Sequence, residues 1–499
     1  MQVLLPIIYS VLFCFIIYKW KFFEAHLLSK RTILFLFLFK LSIGILVTWM
    51  FTYYYVENDF QKYMTDSNAL YAMLFNDTNR FFDIVFSGAS AKELHAWTGT
   101  FQDIDYNDSR TLILTNTIIR FVSGGNVLVH VFFFCFISFV GLFALYKAFF
   151  KYLEIEKQKY LLLLFFIPTV LFWSSGVFKE SLLLLGIGVF LYACDFGLRK
   201  SYTAQLRILA VLAFVFLLFI KPYVLITLLP GLLVNTWCAY TTTKDIFKKY
   251  LLFFSIAFVS VIVFNKLFSE KNIFTTIINK QQKMLATATG GVYLLSKDYF
   301  VCVDYSKKED ALIPSITDSV FKIKKGTEFF GWQLGYDDGV PFIKDPNDKL
   351  FFKNISDTIS YKLIYEIVPS GSLMKPMDLQ PNVFSFLKSA PLAFVKTLLI
   401  PLTEKQLKKI YYLNSFENTL FILGLLFMFL SINKNSVVHP VFLFSISFAL
   451  LLFVLIAYTT PLVGALVRLK MPALPFLFFS ILLIVNKDYF SVFKKRNNQ

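Results

Sequence analysis

Charge is scarce in this chain. Only 16% of its 499 residues are Asp, Glu, Lys or Arg, against about 25% in a soluble domain. Histidine is scarcer, and His26, His95, His130 and His439 are scattered. They match no zincin or facial-triad spacing, which argues against a histidine-held catalytic metal. The five cysteines include no CxxC pair. Cys14, Cys135, Cys194 and Cys238 lie in apolar segments, and Cys302 stands alone in a polar loop. A cysteine metal site or redox pair is therefore not expected. The patterns GxxxxGK(S/T), GxGxxG and GxSxG are missing, which argues against a nucleotide-driven pump and against a hydrolase of the usual kind. No tandem soluble repeat and no low-complexity tail occurs.

What is abundant is apolar sequence. The chain is 57% hydrophobic and holds 62 phenylalanines. Ile33–Tyr53, Val127–Tyr146, Leu251–Phe268 and Val441–Tyr458 each approach the ~20 apolar residues that a bilayer core requires. Open strands cannot cross lipid with their backbone groups unpaired, so these runs are expected to be helices. The reading gives about eleven spans, near 3–18, 32–54, 126–146, 160–175, 181–197, 208–220, 223–239, 250–268, 415–432, 440–458 and 471–486. Pro168, Pro222 and Pro230 suggest broken or partly re-entrant helices.

Basic residues fall in every second gap. They include Lys147, Lys151, Lys157 and Lys159; Arg199, Lys200 and Arg207; Lys244, Lys248 and Lys249; Lys434; and the tail from Lys487 to Arg496. The positive-inside tendency places those gaps in the cytoplasm. It also accounts for the net charge of +17 without nucleic acid as a partner. The first run, Val3–Tyr18, has no basic residue before it, but Lys19, Lys21, Lys30 and Arg31 follow. It reads as a span with the N-terminus outside, and not as a signal sequence. The expected fold class is an all-α polytopic transmembrane bundle with its C-terminus inside and a small mixed extracytoplasmic domain. Residues 1–268 form the first transmembrane region, with an acidic outer loop at 56–112. Residues 269–413 form the outer domain with flanking amphipathic helices, and 414–499 the last transmembrane region. The expected location is a bacterial inner membrane.

Four stretches carry candidate chemistry. In Glu57–Asp66, Asp59 or Asp66 at a membrane rim is placed to act as a general base toward a sugar hydroxyl, or to hold a divalent cation on a pyrophosphate. The plainer reading is a solvated acidic loop. In Asn107–Arg110, Asp108 or Ser109 caps a helix, and Arg110 and Arg120 offer planar forks to a lipid phosphate. The third stretch is Trp173-Ser174-Ser175-Gly176-Val177-Phe178-Lys179-Glu180. An outer lysine runs against the positive-inside tendency and so points to a task of its own. Trp173 alone reads as an interface anchor. In the fourth, Arg468 and Lys470 sit in a short outer connection before the last span, and such arginines generally have a dedicated partner. That partner is either a lipid pyrophosphate or a loop carboxylate. Lys221 before Pro222 is a weaker fifth candidate.

The acidic first outer loop, the Trp-Ser-Ser-Gly-x-x-Lys-Glu turn and the late Gly-Ala-Leu-Val-Arg-x-Lys-x-Pro-x-Leu-Pro together resemble membrane proteins of Bacteroidetes-type surface-polysaccharide clusters. The late segment is similar to the Arg-(Tyr/Phe)-x-x-Pro-x-x-Pro stretch of GT-C glycosyltransferases, with Leu469 at the aromatic position. The resemblance implies a glycosyltransferase or oligosaccharide polymerase that takes a polyprenyl-phosphate-linked sugar from the membrane lipid and passes it to a glycan acceptor. It implies Asp59, then Asp66, as base or metal holder. Arg468, Lys470, Lys179, Arg110 and Arg120 would bind phosphate, and Trp173, Ser174, Glu180 and Asp108 the substrate. In GT-C enzymes the acid follows the first span, whereas here it follows the second, a shift that an extra N-terminal helix explains. A lipid-oligosaccharide flippase and a non-catalytic assembly component are the alternatives. The flippase reading calls for mid-span ionisable groups and related halves, of which the sequence displays few and none respectively.

Overall fold

The computed structural model describes residues 3–25, 27–55, 59–87, 106–197, 203–241, 245–268, 272–314, 320–337, 339–345, 348–353, 359–403, 411–431 and 439–486. Glu57, Glu93, Asp103, Asp105, Arg199, Lys200, Lys244, Lys434 and the tail from Lys487 lie outside them.

Apolar helices dominate. Among the described residues, seven are long and apolar enough to cross a membrane: Lys30–Tyr54, Val127–Phe150, Pro222–Tyr240, Ile246–Leu267, Tyr411–Leu430, Pro440–Thr459 and Val463–Ile484. Leu4–Lys19 and Ala204–Ile220 are apolar but shorter. The chain is thus a multi-pass membrane protein. The expected span at 181–197 lies within the Lys179–Gly197 helix. The expected span at 160–175 is not one helix. It is a 3₁₀ segment, Lys159–Phe166, followed by a six-residue α-helix, Pro168–Trp173. Pro168 lacks an N–H and drives Ile167 out of the helical region, to φ −60° and ψ 113°. Pro222 likewise opens a new helix after Lys221, while Pro230 stays inside it.

Polar side chains set the helix starts. Ser29 accepts from Thr32 N, Asn126 from Val129 N and Asn272 from Phe274 N and Thr275 N. These bonds satisfy amides that a helix N-terminus leaves unpaired. Within lipid, helices gain little from the hydrophobic effect against one another, so close packing by small residues matters more. The Val127–Phe150 and Lys179–Gly197 helices follow this rule. A Cβ on Gly188 would lie 1.9 Å from Gly141 O, and one on Gly141 would lie 2.3 Å from Leu184 O. Only two glycines admit this backbone approach. Around them Phe13, Phe23, Phe37, Phe139, Phe143 and Phe165 form a continuous aromatic core, with neighbouring rings 5.0 to 6.4 Å apart.

The outer-domain stretch holds an antiparallel sheet between two amphipathic helices. The helices are Ile273–Thr289 and Val383–Leu399. The described strands are β1 (Gly291–Leu295), β2 (Tyr299–Val303), β3 (Leu312–Pro314), β4 (Val320–Ile323), β5 (Glu328–Asp337), β6 (Val340–Ile343), β7 (Leu350–Lys353) and β8 (Ser360–Ile367). Their order is β3-β4-β8-β1-β2-β5-β6, with β7 also paired to β5. Alternation puts Val292, Leu294, Val301, Val303 and Phe329 into one small core. Gly339, at φ 78°, closes the β5–β6 hairpin where the sequence reads Asp-Gly. Gln281 ties the first amphipathic helix to the bundle by donating to Met377 O and Tyr458 O. Ser372 O accepts from Val463 N, and Met374 N donates to Pro461 O. The sheet therefore rises from the end of the bundle that carries the connection before Arg468.

Candidate active site

Two polar stretches from opposite ends of the sequence meet here. The Asp59–Asn76 helix opens just beyond the second apolar helix, with Asp59 in its first turn. Arg468 stands in the last turn of the Val463–Leu469 helix. Arg468 Nη1 donates to Asp59 Oδ2 at 2.7 Å, across 409 residues of sequence. Arg468 Nε lies 2.9 Å from Glu180 Oε1 as an ion pair. Glu180 also accepts from Lys221 Nζ at 2.6 Å.

The four charges differ in their solvent access. The Glu180 side chain is fully buried, those of Lys221 and Arg468 are 9% and 16% exposed, and that of Asp59 is 55% exposed. Two anions and two cations balance, which makes a desolvated cluster tolerable. Glu180 occupies the first turn of the Lys179–Gly197 helix, where the helix dipole favours a carboxylate. Its Oε2 has no hydrogen-bond partner among the described residues. Trp173 and Phe178 each place a ring 5.3 Å from the Arg468 guanidinium, a geometry that holds a planar cation by its faces. Tyr63, one turn on from Asp59, is buried and meets Ser109.

The turn that carries these rings has its own support. Ser174 and Ser175 are wholly buried. They accept from Lys40 Nζ at 2.6 and 3.1 Å, and each hydroxyl also donates to a carbonyl four residues back. Ser138 Oγ donates to Ser174 O at 2.6 Å. Lys40 is a buried lysine in the middle of the Lys30–Trp49 helix. The sequence reading passed over it, although a lone lysine in an apolar run is itself a signal.

The other sequence candidates do not converge on Arg468. Ser174, expected as a substrate contact, faces Lys40 and not Arg468. Lys470 is buried and donates to Asn418 Oδ1 at 2.7 Å and Ile400 O at 3.2 Å. Two residues along a helix are turned by about 200°, so Arg468 and Lys470 cannot share a ligand face. Near Lys470, Glu417 accepts from Thr169 N at 2.6 Å, and its other oxygen has no partner among the described residues. Asp66 is buried two turns beyond Asp59, about 10 Å along the axis. Lys179 borders a shallow crevice with Thr111, Leu182 and Phe219. Arg110 reaches Phe86 O at 3.5 Å, while Arg120 lies over Tyr71 and against Gly125. Ten residues separate these arginines by about 15 Å, so they do not act as one fork. The side chain of Asp108 lies outside the described residues. Lys221 belongs to the centre of the cluster, more firmly than its sequence context indicated.

Among the described residues, no three His, Cys, Asp or Glu side chains converge as a metal site. Asp59 and Glu180 already face cations, so this donor set does not fit a divalent ion. No protein-family model, no curated protein and no solved structure matches the chain.

Proposed function

We propose that this protein transfers or polymerises sugars from a polyprenyl-phosphate-linked donor, at the outer face of a bacterial inner membrane, in cell-surface polysaccharide synthesis. The alternation of basic gaps supports the orientation. One observation carries the chemistry: the carboxylate just beyond the second apolar helix and the arginine in the first turns of the last one are 2.7 Å apart. One is a base and the other an anion binder, and both stand at the same end of the bundle.

In the proposed step the acceptor hydroxyl gives its proton to Asp59, and its oxygen bonds to the anomeric carbon. The bond from that carbon to the phosphate oxygen breaks, and the phosphate keeps the electron pair. Arg468, held by Glu180 and the two aromatic rings, is preorganised to meet the charge that grows on the leaving oxygen. A positioned general base contributes about 10²- to 10⁴-fold to rate. The test is the surface glycan profile of a deletion strain complemented with wild type, Asp59→Asn or Arg468→Ala, with membrane abundance measured in parallel. Loss or shortening of the glycan in both variants at normal abundance supports the reading. Full restoration by both removes it and favours a partner-binding role.

A further inference from the structure

The two partners of Arg468 are not equivalent, and this asymmetry bears on regulation of the same site. Glu180 is buried, lies in a helical first turn, and is held by Lys221 as well. Asp59 is more than half exposed. Parting Arg468 from Glu180 would strand a buried charge, whereas parting it from Asp59 only returns an accessible carboxylate to water. An anion arriving at Arg468 therefore meets one fixed partner and one that yields.

We infer that Asp59 is a displaceable counter-ion, which occupies the phosphate position on Arg468 until an anionic phosphate ligand takes its place. This rests on the reading of Arg468 as a phosphate binder, and adds an order of events to it. Without the anion, one oxygen of the Asp59 carboxylate is taken up by the guanidinium hydrogen bond. Once the anion is bound, Asp59 is released beside it and can accept a proton. The base is thus armed only when the donor phosphate is in place, which protects a costly donor site from idle turnover. Glu180 is the positioning residue that keeps the guanidinium, the rings of Trp173 and Phe178, and Lys221 in register while the exchange occurs.

The experiment is an equilibrium titration of the full-length protein in nanodiscs. One arm uses inorganic pyrophosphate and the other farnesyl phosphate, which separate a free phosphate from a lipid headgroup. Removing the competing carboxylate with Asp59→Asn is expected to tighten binding by about two- to five-fold, the worth of an exposed ion pair. Asp59→Glu keeps the charge and should bind as wild type does. A gain with farnesyl phosphate that exceeds the gain with pyrophosphate assigns the site to a lipid headgroup, and equal gains assign it to phosphate alone. If Asp59→Asn binds either probe no tighter than wild type, or if Asp59→Glu gains as much as Asp59→Asn, the exchange is wrong. Arg468→Lys keeps the buried charge but loses the fork, and should weaken both probes. If Arg468→Lys binds both as wild type does, the phosphate-site reading itself fails, whatever Asp59 does.

Discussion

Glu180→Gln tests whether the cluster is organised from its buried side. The substitution keeps the shape of the side chain and removes its charge. Lys221 Nζ, 2.6 Å away, then loses the anion it is paired with, and Arg468 retains only the exposed Asp59. Neutralising one member of a buried pair costs about 3 to 5 kcal/mol, because the partner remains charged and desolvated. Asp59→Asn removes a carboxylate from the same arginine on the exposed side, where a pair contributes about 0.2 to 1 kcal/mol. The two variants touch one guanidinium yet should differ several-fold in their effect on stability. Thermal unfolding of the purified protein in a single detergent measures that difference. Adding Lys221→Met to Glu180→Gln removes one stranded cation and should recover part of the loss. Equal destabilisation by Glu180→Gln and Asp59→Asn, or no recovery in the double variant, would refute the argument from burial.

The Lys40 contact makes a second asymmetric prediction. Lys40→Met leaves Ser174 and Ser175 bonded to Val170 O and Leu171 O, so it should be nearly neutral for folding. Ser174→Ala with Ser175→Ala instead leaves a buried ammonium without its acceptors, and should unfold at a clearly lower temperature. A ranking in the opposite direction, read from melting curves, would show that the lysine charge itself is required. Cys302 in β2 gives a third prediction. Burial pushes its thiol up to about 11, with the Lys349 charge opposing, which leaves a thiolate share of about 10⁻⁴ at pH 7. A variant that retains Cys302 as its sole cysteine should resist N-ethylmaleimide while folded and react on denaturation. Prompt labelling of the folded protein would count against this packing.

The membrane class was legible because lipid imposes length and polarity on every span, and the apolar runs display both. The site was legible as a set of residue types, with Asp59, Trp173, Glu180 and Arg468 all in candidate stretches. What the sequence did not reveal is which neighbour points where. Lys179 and Glu180 adjoin, yet about 100° of helical turn sends only Glu180 to Arg468. Glu180, read as a substrate contact, stands in the structure as the buried anion that two cations share. The broken segment at 160–175 was foreshadowed by Pro168, but the consequence was not. That break creates the Ser174–Phe178 turn, and the turn delivers Phe178 to the arginine. The sheet in the 291–367 stretch was visible only as short apolar runs between turns, since strand order depends on pairings far apart in sequence.

The sequence distances within the cluster have a consequence for synthesis. Chains are made at about 5 to 20 residues per second. Lys221 follows Glu180 by 41 residues, so the buried carboxylate gains its first counter-ion within about 2 to 8 s. Arg468 follows Asp59 by 409 residues, a delay of about 20 to 80 s. Asp59 is more than half exposed even in the folded protein, and a lone carboxylate in water is harmless. The partner that arrives late is thus matched to the anion that can wait, and the half-made chain never has to bury an unbalanced acid for long.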